Sequence, residues 1–294
     1  MNNKLFVSGF TFVRNAIVYD YPIVEAISSI LPVCDELIVN VGDSEDDTLR
    51  LIQSIPSEKI KIIKSVWDKN LRTSGTVLAQ QTTIALSHCT GRWCFYIQAD
   101  EIVHERYLPA ISQAASTYAD DLRVEGLLFK YLHFYGSYHY VGASRRWYRN
   151  EVRIVRNRIG VYSYKDAQGF RIRNNRPLRV KPVDVYMYHY GWVKPPIIQQ
   201  QKQRFFNRLW HPDEWVEAHI GTDQEYNYHN IDTLEPFTGT HPSVMRQRVA
   251  TQNWQFIYNP KTSKHHIPLK HRILNYIEKH TGRRIGEYKN YKII

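Results

Sequence analysis

The sequence predicts an α/β protein with a parallel sheet in its first half, a mixed, partly antiparallel second half and a helical C-terminal extension. Three observations predict it. Apolar segments of strand length alternate with segments of helical spacing over the first hundred residues. After Leu122, long strand-like runs follow one another. From Ile197 the chain turns polar and aromatic, punctuated by His211-Pro212, Glu235-Pro236 and His241-Pro242. The expected organisation is therefore a domain over residues 1–196 and a mainly helical extension over 197–294.

Leu5 to Val13, rich in Phe and Val, reads as the first strand. Pro22 to Leu31 puts Ile23, Ala26, Ile27 and Ile30 on one helical face. Glu36 to Val41 is a short apolar strand. Asp46 to Ile55 is helical through Leu49, Ile52 and Ile55, and Lys59 to Lys64 alternates weakly. Thr76 to Ser87 reads as a helix with Val77, Ile84 and Ala85 inward, and Trp93 to Ile97 as a compact strand. Helices of this size between strands imply βαβ units. Right-handed crossovers gather the loops after the strands on one edge, where open α/β sheets bind ligands. Val124 to Phe134, Val152 to Arg156 and Val180 to Tyr190 supply later strands, with a basic, turn-rich stretch from Arg171 to Arg179.

The composition excludes several classes. With 43% hydrophobic and 23% charged residues, the 294-residue chain can bury a sizeable core and is not a disordered tail. No apolar run approaches the ~20 residues that span a bilayer. The opening Met1-Asn2-Asn3-Lys4 leads into a stretch too short for a signal peptide. Cys34, Cys89 and Cys94 make no disulfide framework and read as buried, reduced thiols of a cytoplasmic protein. The net charge of +11 attracts phosphate, whether on nucleotides, nucleic acid or lipid.

Three segments carry chemistry. In Phe95-Tyr96-Ile97-Gln98-Ala99-Asp100-Glu101 an apolar strand runs into two carboxylates at the binding edge. They suit a divalent cation on a diphosphate, or equally the N-terminus of a following helix. A competing metal reading places Asp100, Glu101, His104 and Glu105 on one helix. In Gly42-Asp43-Ser44-Glu45-Asp46-Asp47-Thr48, Ser44 and Asp47 read as a capping box, and the same loop can receive a nucleotide. In Phe12-Val13-Arg14-Asn15, Arg14 sits at the end of the first strand, where an arginine clamps phosphate or pairs with a surface acid.

Together these residues resemble the family 2 glycosyltransferases of GT-A fold, in particular a bacterial subgroup whose metal motif reads Gln-Ala-Asp-Glu. The segments that carry the resemblance are Val13 to Asn15, Asp35 to Val39, Gly42 to Thr48, Gln98 to Glu101 and Tyr188 to Val193. The resemblance implies a GT-A-like fold, a Rossmann-like nucleotide-binding half plus a mixed-sheet acceptor half. It implies that Val13, Arg14, Asn15, Gly42, Asp43, Ser44, Gln98 and Asp100 hold the nucleotide. Asp100 would ligate Mg²⁺ or Mn²⁺, with His189 as a further ligand. Gln98 stands where the family has a first acid. Asp166, in a loop after the mixed strands, is the expected catalytic base or else an exposed turn acid beside Lys165. Glu125 is the weaker candidate.

The expected function is transfer of a sugar from a nucleotide-diphosphate donor to a hydroxyl of a saccharide or glycolipid, for cell-surface polysaccharide. The enzyme would be cytoplasmic, with peripheral contact at the inner membrane surface. Arg145, Arg146, Arg171 and Arg173 would hold an anionic acceptor, a membrane face or merely solvent. The rival is a non-catalytic basic protein that binds nucleic acid through phosphate contacts and stacking. It is disfavoured by scattered basic residues. A nucleotidyltransferase is a third reading, but Val13-Arg14-Asn15-Ala16 lacks the glycine-rich loop that class uses.

Overall fold

The computed structural model describes residues 6–68, 70–71, 74–220, 223–261, 269–282 and 284–294. The opening Met1–Lys4 therefore lies outside the described residues. β1 (Val7–Val13), α1 (Ile23–Ile30), β2 (Glu36–Val41), α2 (Thr48–Gln53), β3 (Ile60–Lys64), α3 (Thr76–Ser87) and β4 (Trp93–Tyr96) follow the expected alternation. β1 pairs in parallel with β2 on one side and β4 on the other, and β2 with β3. The chain thus leaves β1 in one direction and returns on its other side. The C-terminal ends of β1 and β4 then flank a crevice at a topological switch point.

Next come β5 (Glu101–Val103), α4 (Leu108–Thr117), β6 (Gly126–Tyr135), β7 (Tyr140–Gly142), β8 (Asn150–Arg156), β9 (Tyr162–Tyr164), β10 (Gly169–Ile172) and β11 (Arg176–Trp192). α5 (Pro196–Arg208), α6 (Asp213–His219), β12 (Leu234–Pro236), α7 (Arg246–Ala250), α8 (Leu269–Thr281) and β13 (Tyr291–Ile293) complete the chain. Among the described residues, thirteen strands join one sheet with the main order β3-β2-β1-β4-β8-β6-β11-β10-β9.

The GT-A-like division expected from the sequence, a Rossmann-like half beside a separate mixed-sheet half with a helical appendage, is corrected by this order. β8 pairs antiparallel with β4 and with β6, so the parallel strands pass without a break into the mixed ones. An open edge on β4 would expose unpaired backbone groups, and β8 covers it. The extension is not purely helical, because β12 pairs with β7 and β13 with β11. The stretch from Arg171 to Arg179 is mostly strand, and its turn is confined to residues 173–175, with Asn174 and Asn175 at φ 57° and 58°. Asparagine tolerates that left-handed region better than most residues.

The sheet buries both faces. Along β4, Trp93 and Phe95 enter one apolar cluster with Ile23, Ala26, Ile27 and Ile30 of α1. Cys94 and Tyr96 enter the other with Val77, Leu78 and Ala85 of α3. Fully burying each α1 isoleucine contributes about 1.5–3 kcal/mol, enough to hold a helix of eight residues that could not persist alone. Among the described residues, no helix is long and apolar enough to cross a membrane.

Candidate functional site

The β1–β4 crevice opens into a cavity of about 360 Å³ lined by Val13, Arg14, Gln98, Asp100, Asp166 and His189, with Trp67, His133, Trp147 and Lys202. Six of the expected nucleotide, metal and catalytic residues therefore meet in one place, together with Arg146 of the expected acceptor set. Asn15, Gly42, Asp43 and Ser44 do not line it and support its rim instead. Arg14 Nε donates to the Asp43 carbonyl at 3.1 Å, and its guanidinium lies 5.6 Å from the centre of the Trp67 ring. The Trp67 backbone N–H donates to Asp43 Oδ1 at 3.2 Å. A Cβ on Gly42 would stand 2.5 Å from Trp67 Nε1, so only glycine lets this indole close the rim. Asn15 Oδ1 accepts from the Glu45 N–H at 2.8 Å, and Ser44 Oγ accepts from the Asn15 N–H at 3.1 Å.

The expected capping box is not formed. α2 starts at Thr48, and no side-chain cap comes from Asp47. Asp46 takes that role: Oδ1 accepts from the Thr48 N–H, and Oδ2 from the N–H groups of Ile17 and Val18. Asp46 thus serves two segments at once, which no Ser44–Asp47 pair could do.

Asp100 and Glu101 do not begin a helix, because Glu101 opens β5. Glu101 is sealed in the core. Its carboxylate accepts from Arg153 Nη2 at 2.7 Å, Arg153 Nε at 3.0 Å, the Tyr131 hydroxyl at 2.6 Å and the Gln98 N–H at 3.0 Å. The four-residue helical metal reading fails with it. His104 Nε2 meets Thr240 Oγ1 at 2.9 Å, and Glu105 accepts from the Ser243 N–H at 3.0 Å.

Asp100 faces the cavity. Lys202 of α5 donates from Nζ to Asp100 Oδ2 at 3.1 Å and to the Gly191 carbonyl at 2.9 Å, with the Tyr21 ring 5.0 Å away. The other oxygen, Oδ1, lies 3.7 Å from His189 Nε2. Burial pushes the Asp100 carboxyl up, but the Lys202 ammonium outweighs burial and holds it below the usual range. For His189 burial wins over the pull of Asp100 and lowers its pKa. Gly191 is required here, because a Cβ would come 2.7 Å from Asp100 Oδ2.

A divalent ion fits this donor set. One carboxylate oxygen and one imidazole nitrogen converge, and hard cations with few protein ligands complete their shell with water and substrate phosphate. Among the described residues no group of three or more His, Cys, Asp or Glu could enclose an ion, so water or a bound phosphate would complete the shell.

Asp166 sits in a loop held by two non-glycine residues in the left-handed region, Lys165 at φ 55° and Ala167 at φ 64°. Gln98 Nε2 donates to the Ala167 carbonyl at 3.2 Å and Arg153 Nη1 to the Gln168 carbonyl at 3.0 Å, tying the loop to β4 and β8. Burial raises the Asp166 pKa above the usual carboxylate value. A second cavity of about 750 Å³ adjoins the first and shares Arg146, Tyr148, Asp166 and Gln168 with it. Its wall includes Glu151, whose carboxyl burial pushes up to about 8.

The other expected residues are structural. Glu125 accepts from Arg176 and Arg179. Arg145 pairs with Glu278 at 2.5 Å, and Arg171 donates to the Asn290 carbonyl and the Tyr288 hydroxyl, so both anchor the C-terminal segment. Of the four arginines singled out for an anionic acceptor, Arg145 and Arg146 line the larger cavity, and Arg145 is already paired. Lys202, His133, Trp67, Trp147 and Glu151 were not anticipated. The available signal was Pro195-Pro196, which starts α5 just beyond the end of β11, and so at the binding edge.

No family model matches this chain, and no curated protein matches it. Among solved structures it is similar to TarS of S. aureus, at 15% identity over 68% of this chain and 39% of that one, with a TM-score of 0.43. Against TarS residues 1–349 solved with UDP-GlcNAc, identity is 15% over 72% of this chain and 69% of that one, with a TM-score of 0.40. Against glucosyl-3-phosphoglycerate synthase from Mycobacterium tuberculosis, solved with Mn²⁺, UDP and phosphoglyceric acid, identity is 21% over 44% of each chain, with a TM-score of 0.29. The membership of family 2 expected from the sequence is withdrawn on these findings: no model of that family matches, and likenesses this distant assign neither a family nor an activity.

Proposed function

We propose that the chain transfers a glycosyl group from a nucleoside-diphosphate sugar to a hydroxyl of a saccharide or glycolipid. The observation that carries the proposal is the pair of cavities meeting at Arg146, Tyr148, Asp166 and Gln168. A transfer between two bound substrates needs adjoining compartments with a base at their junction. The smaller cavity, aromatic and set at the switch point, takes the nucleotide, with Arg14 and Trp67 at the rim and the diphosphate toward Asp100. The larger takes the acceptor.

Asp166 accepts the proton as the acceptor oxygen attacks the anomeric carbon. The bond to phosphate breaks with its electrons on the departing diphosphate, and a single displacement of this kind inverts the centre. Burial raises the Asp166 pKa, which makes its carboxylate a stronger base than a solvated one. Asp100 and His189 would hold Mg²⁺ or Mn²⁺, which supplies charge neutralisation at the leaving diphosphate. Nucleic-acid binding is less well supported: Arg145, Arg149 and Arg284 gather on Glu278, and Arg176 and Arg179 on Glu125, so these cations serve the fold.

The test is a thermal-shift screen of UDP, GDP, CMP and their sugar conjugates, with and without Mn²⁺. A ligand at a hundred times its Kd stabilises by about 2.7 kcal/mol. One diphosphate nucleotide is expected to shift the melting point. If none does, the donor assignment fails.

A further inference from the structure

His133 of β6 is buried in the cavity wall against His189. Its Nε2 is 2.8 Å from the Tyr148 carbonyl, and its Nδ1 is 3.3 Å from His189 Nδ1. A carbonyl only accepts, so the His133 hydrogen is on Nε2. His133 is buried among aromatic rings, and its ring nitrogens meet a carbonyl and an imidazole with no carboxylate on either, so the ring is neutral and Nδ1 presents a lone pair. His189 must then donate from its own Nδ1, which leaves His189 Nε2 as a lone pair. That lone pair faces Asp100 Oδ1 across 3.7 Å. Two electron-rich atoms facing each other repel unless a positive charge stands between them.

The rings cannot easily rearrange. His133 packs 5.1 Å from the Trp147 ring and 5.4 Å from Tyr131, both stacked, and 4.4 Å from Tyr148 edge-on. The relay is thus fixed at its far end by backbone and at its sides by aromatic rings.

We propose that His133 is a positioning residue for a divalent cation: through the relay Tyr148 carbonyl–His133–His189 it imposes the His189 tautomer whose Nε2 is free to bind metal beside Asp100. The inference rests on the reading of Asp100 and His189 as a cation pair. Partners behind a ligating histidine set its tautomer and its basicity, and their loss typically weakens metal binding 10–100-fold.

The experiment is Mn²⁺ titration of the purified full chain, followed by the paramagnetic resonance signal of free Mn²⁺, in wild type and in His133→Leu, His133→Asn and His189→Ala. Wild type is expected to bind Mn²⁺ and His189→Ala to lose it. His133→Leu should bind at least 10-fold more weakly. His133→Asn should stay within about 3-fold, because its amide oxygen can accept from His189 Nδ1. Unchanged affinity in His133→Leu overturns the proposal, and so does an equal loss in His133→Asn, which would mark a packing role. A wild type that binds no Mn²⁺, or a His189→Ala that binds as well as wild type, overturns the cation pair itself and the inference with it. Should His133→Leu not fold, nitrogen NMR of wild type reads the tautomer directly. The Nδ1–H form of His189 is expected, and the Nε2–H form overturns the proposal.

Discussion

Asp100 and Glu101 are neighbours in sequence with opposite situations. Glu101 and Arg153 both have side chains at 0% exposure, and every oxygen of Glu101 is bonded. Asp100 keeps one oxygen on Lys202 and turns the other toward His189 and the cavity. The difference comes from the backbone: β5 begins at Glu101 and pairs antiparallel with β11, Glu101 opposite His189. That pairing points Glu101 inward and leaves Asp100 at the strand end. Adjacent carboxylates look alike in a motif, yet one secures the fold while the other is available to a ligand.

The largest expected effect breaks this comparison directly. Glu101→Gln leaves the Arg153 guanidinium buried without its counter-charge, which should cost about 3–5 kcal/mol of stability. Asp100→Asn should cost about 1 kcal/mol, because Lys202 keeps the Gly191 carbonyl and an amide oxygen as acceptors. Its transferase turnover should nevertheless fall at least 100-fold, as expected when a group that organises transition-state charge is removed. Denaturant melts and turnover on the same two proteins decide it. Equal destabilisation by both substitutions would erase the distinction between them.

A third carboxylate sharpens the contrast. Glu151 lies two residues before Arg153, but Glu101 holds that guanidinium, and Glu151 Oε2 is buried with no partner among the described residues. Burial raises its pKa from 4.5 to about 8. The folded state therefore binds the proton more tightly than the unfolded state. The associated stability is complete below the unfolded value near 4.5 and is lost as pH rises through about 8. Wild type should lose about 2 kcal/mol between pH 6 and 8 from this group, and Glu151→Gln should not. Parallel stability curves for the two proteins over that range would show that Glu151 titrates normally.

The sequence carried the sheet's first half well and its pairing order poorly. Alternating apolar segments define β1 to β4 locally, whereas the insertion of β8 between β4 and β6 is a tertiary fact with no local signature. The same divide runs through the site. Arg14, Gln98, Asp100 and Asp166 follow strands, His189 lies near the end of β11, and all five could be read from position. Lys202 and His133 could not: Lys202 reaches Asp100 from 102 residues away, and His133 looks like any alternating strand residue. Ser44 was misread as a cap because its spacing to Asp47 was judged locally, while Asp46 answered to N–H groups nearly thirty residues earlier.

The smallest effect concerns Trp67, which joins the two kinds of region. Its ring is core-like, packed near Phe12 at 5.9 Å and under Arg14, yet its indole Nε1 is buried with no partner among the described residues. An orphaned buried donor costs about 1–3 kcal/mol, and a protein keeps one most readily where a ligand satisfies it. Trp67→Phe removes the N–H along with part of the ring. The lost packing and the relieved donor should largely cancel, leaving stability within about 1 kcal/mol of wild type. Affinity for the diphosphate nucleotide should fall about 5-fold, close to the ~1 kcal/mol of one hydrogen bond. Calorimetric titration and thermal melts on this variant separate the cases. A large stability loss with unchanged affinity would make Trp67 a core residue like those of β4 and remove it from the rim of the donor cavity.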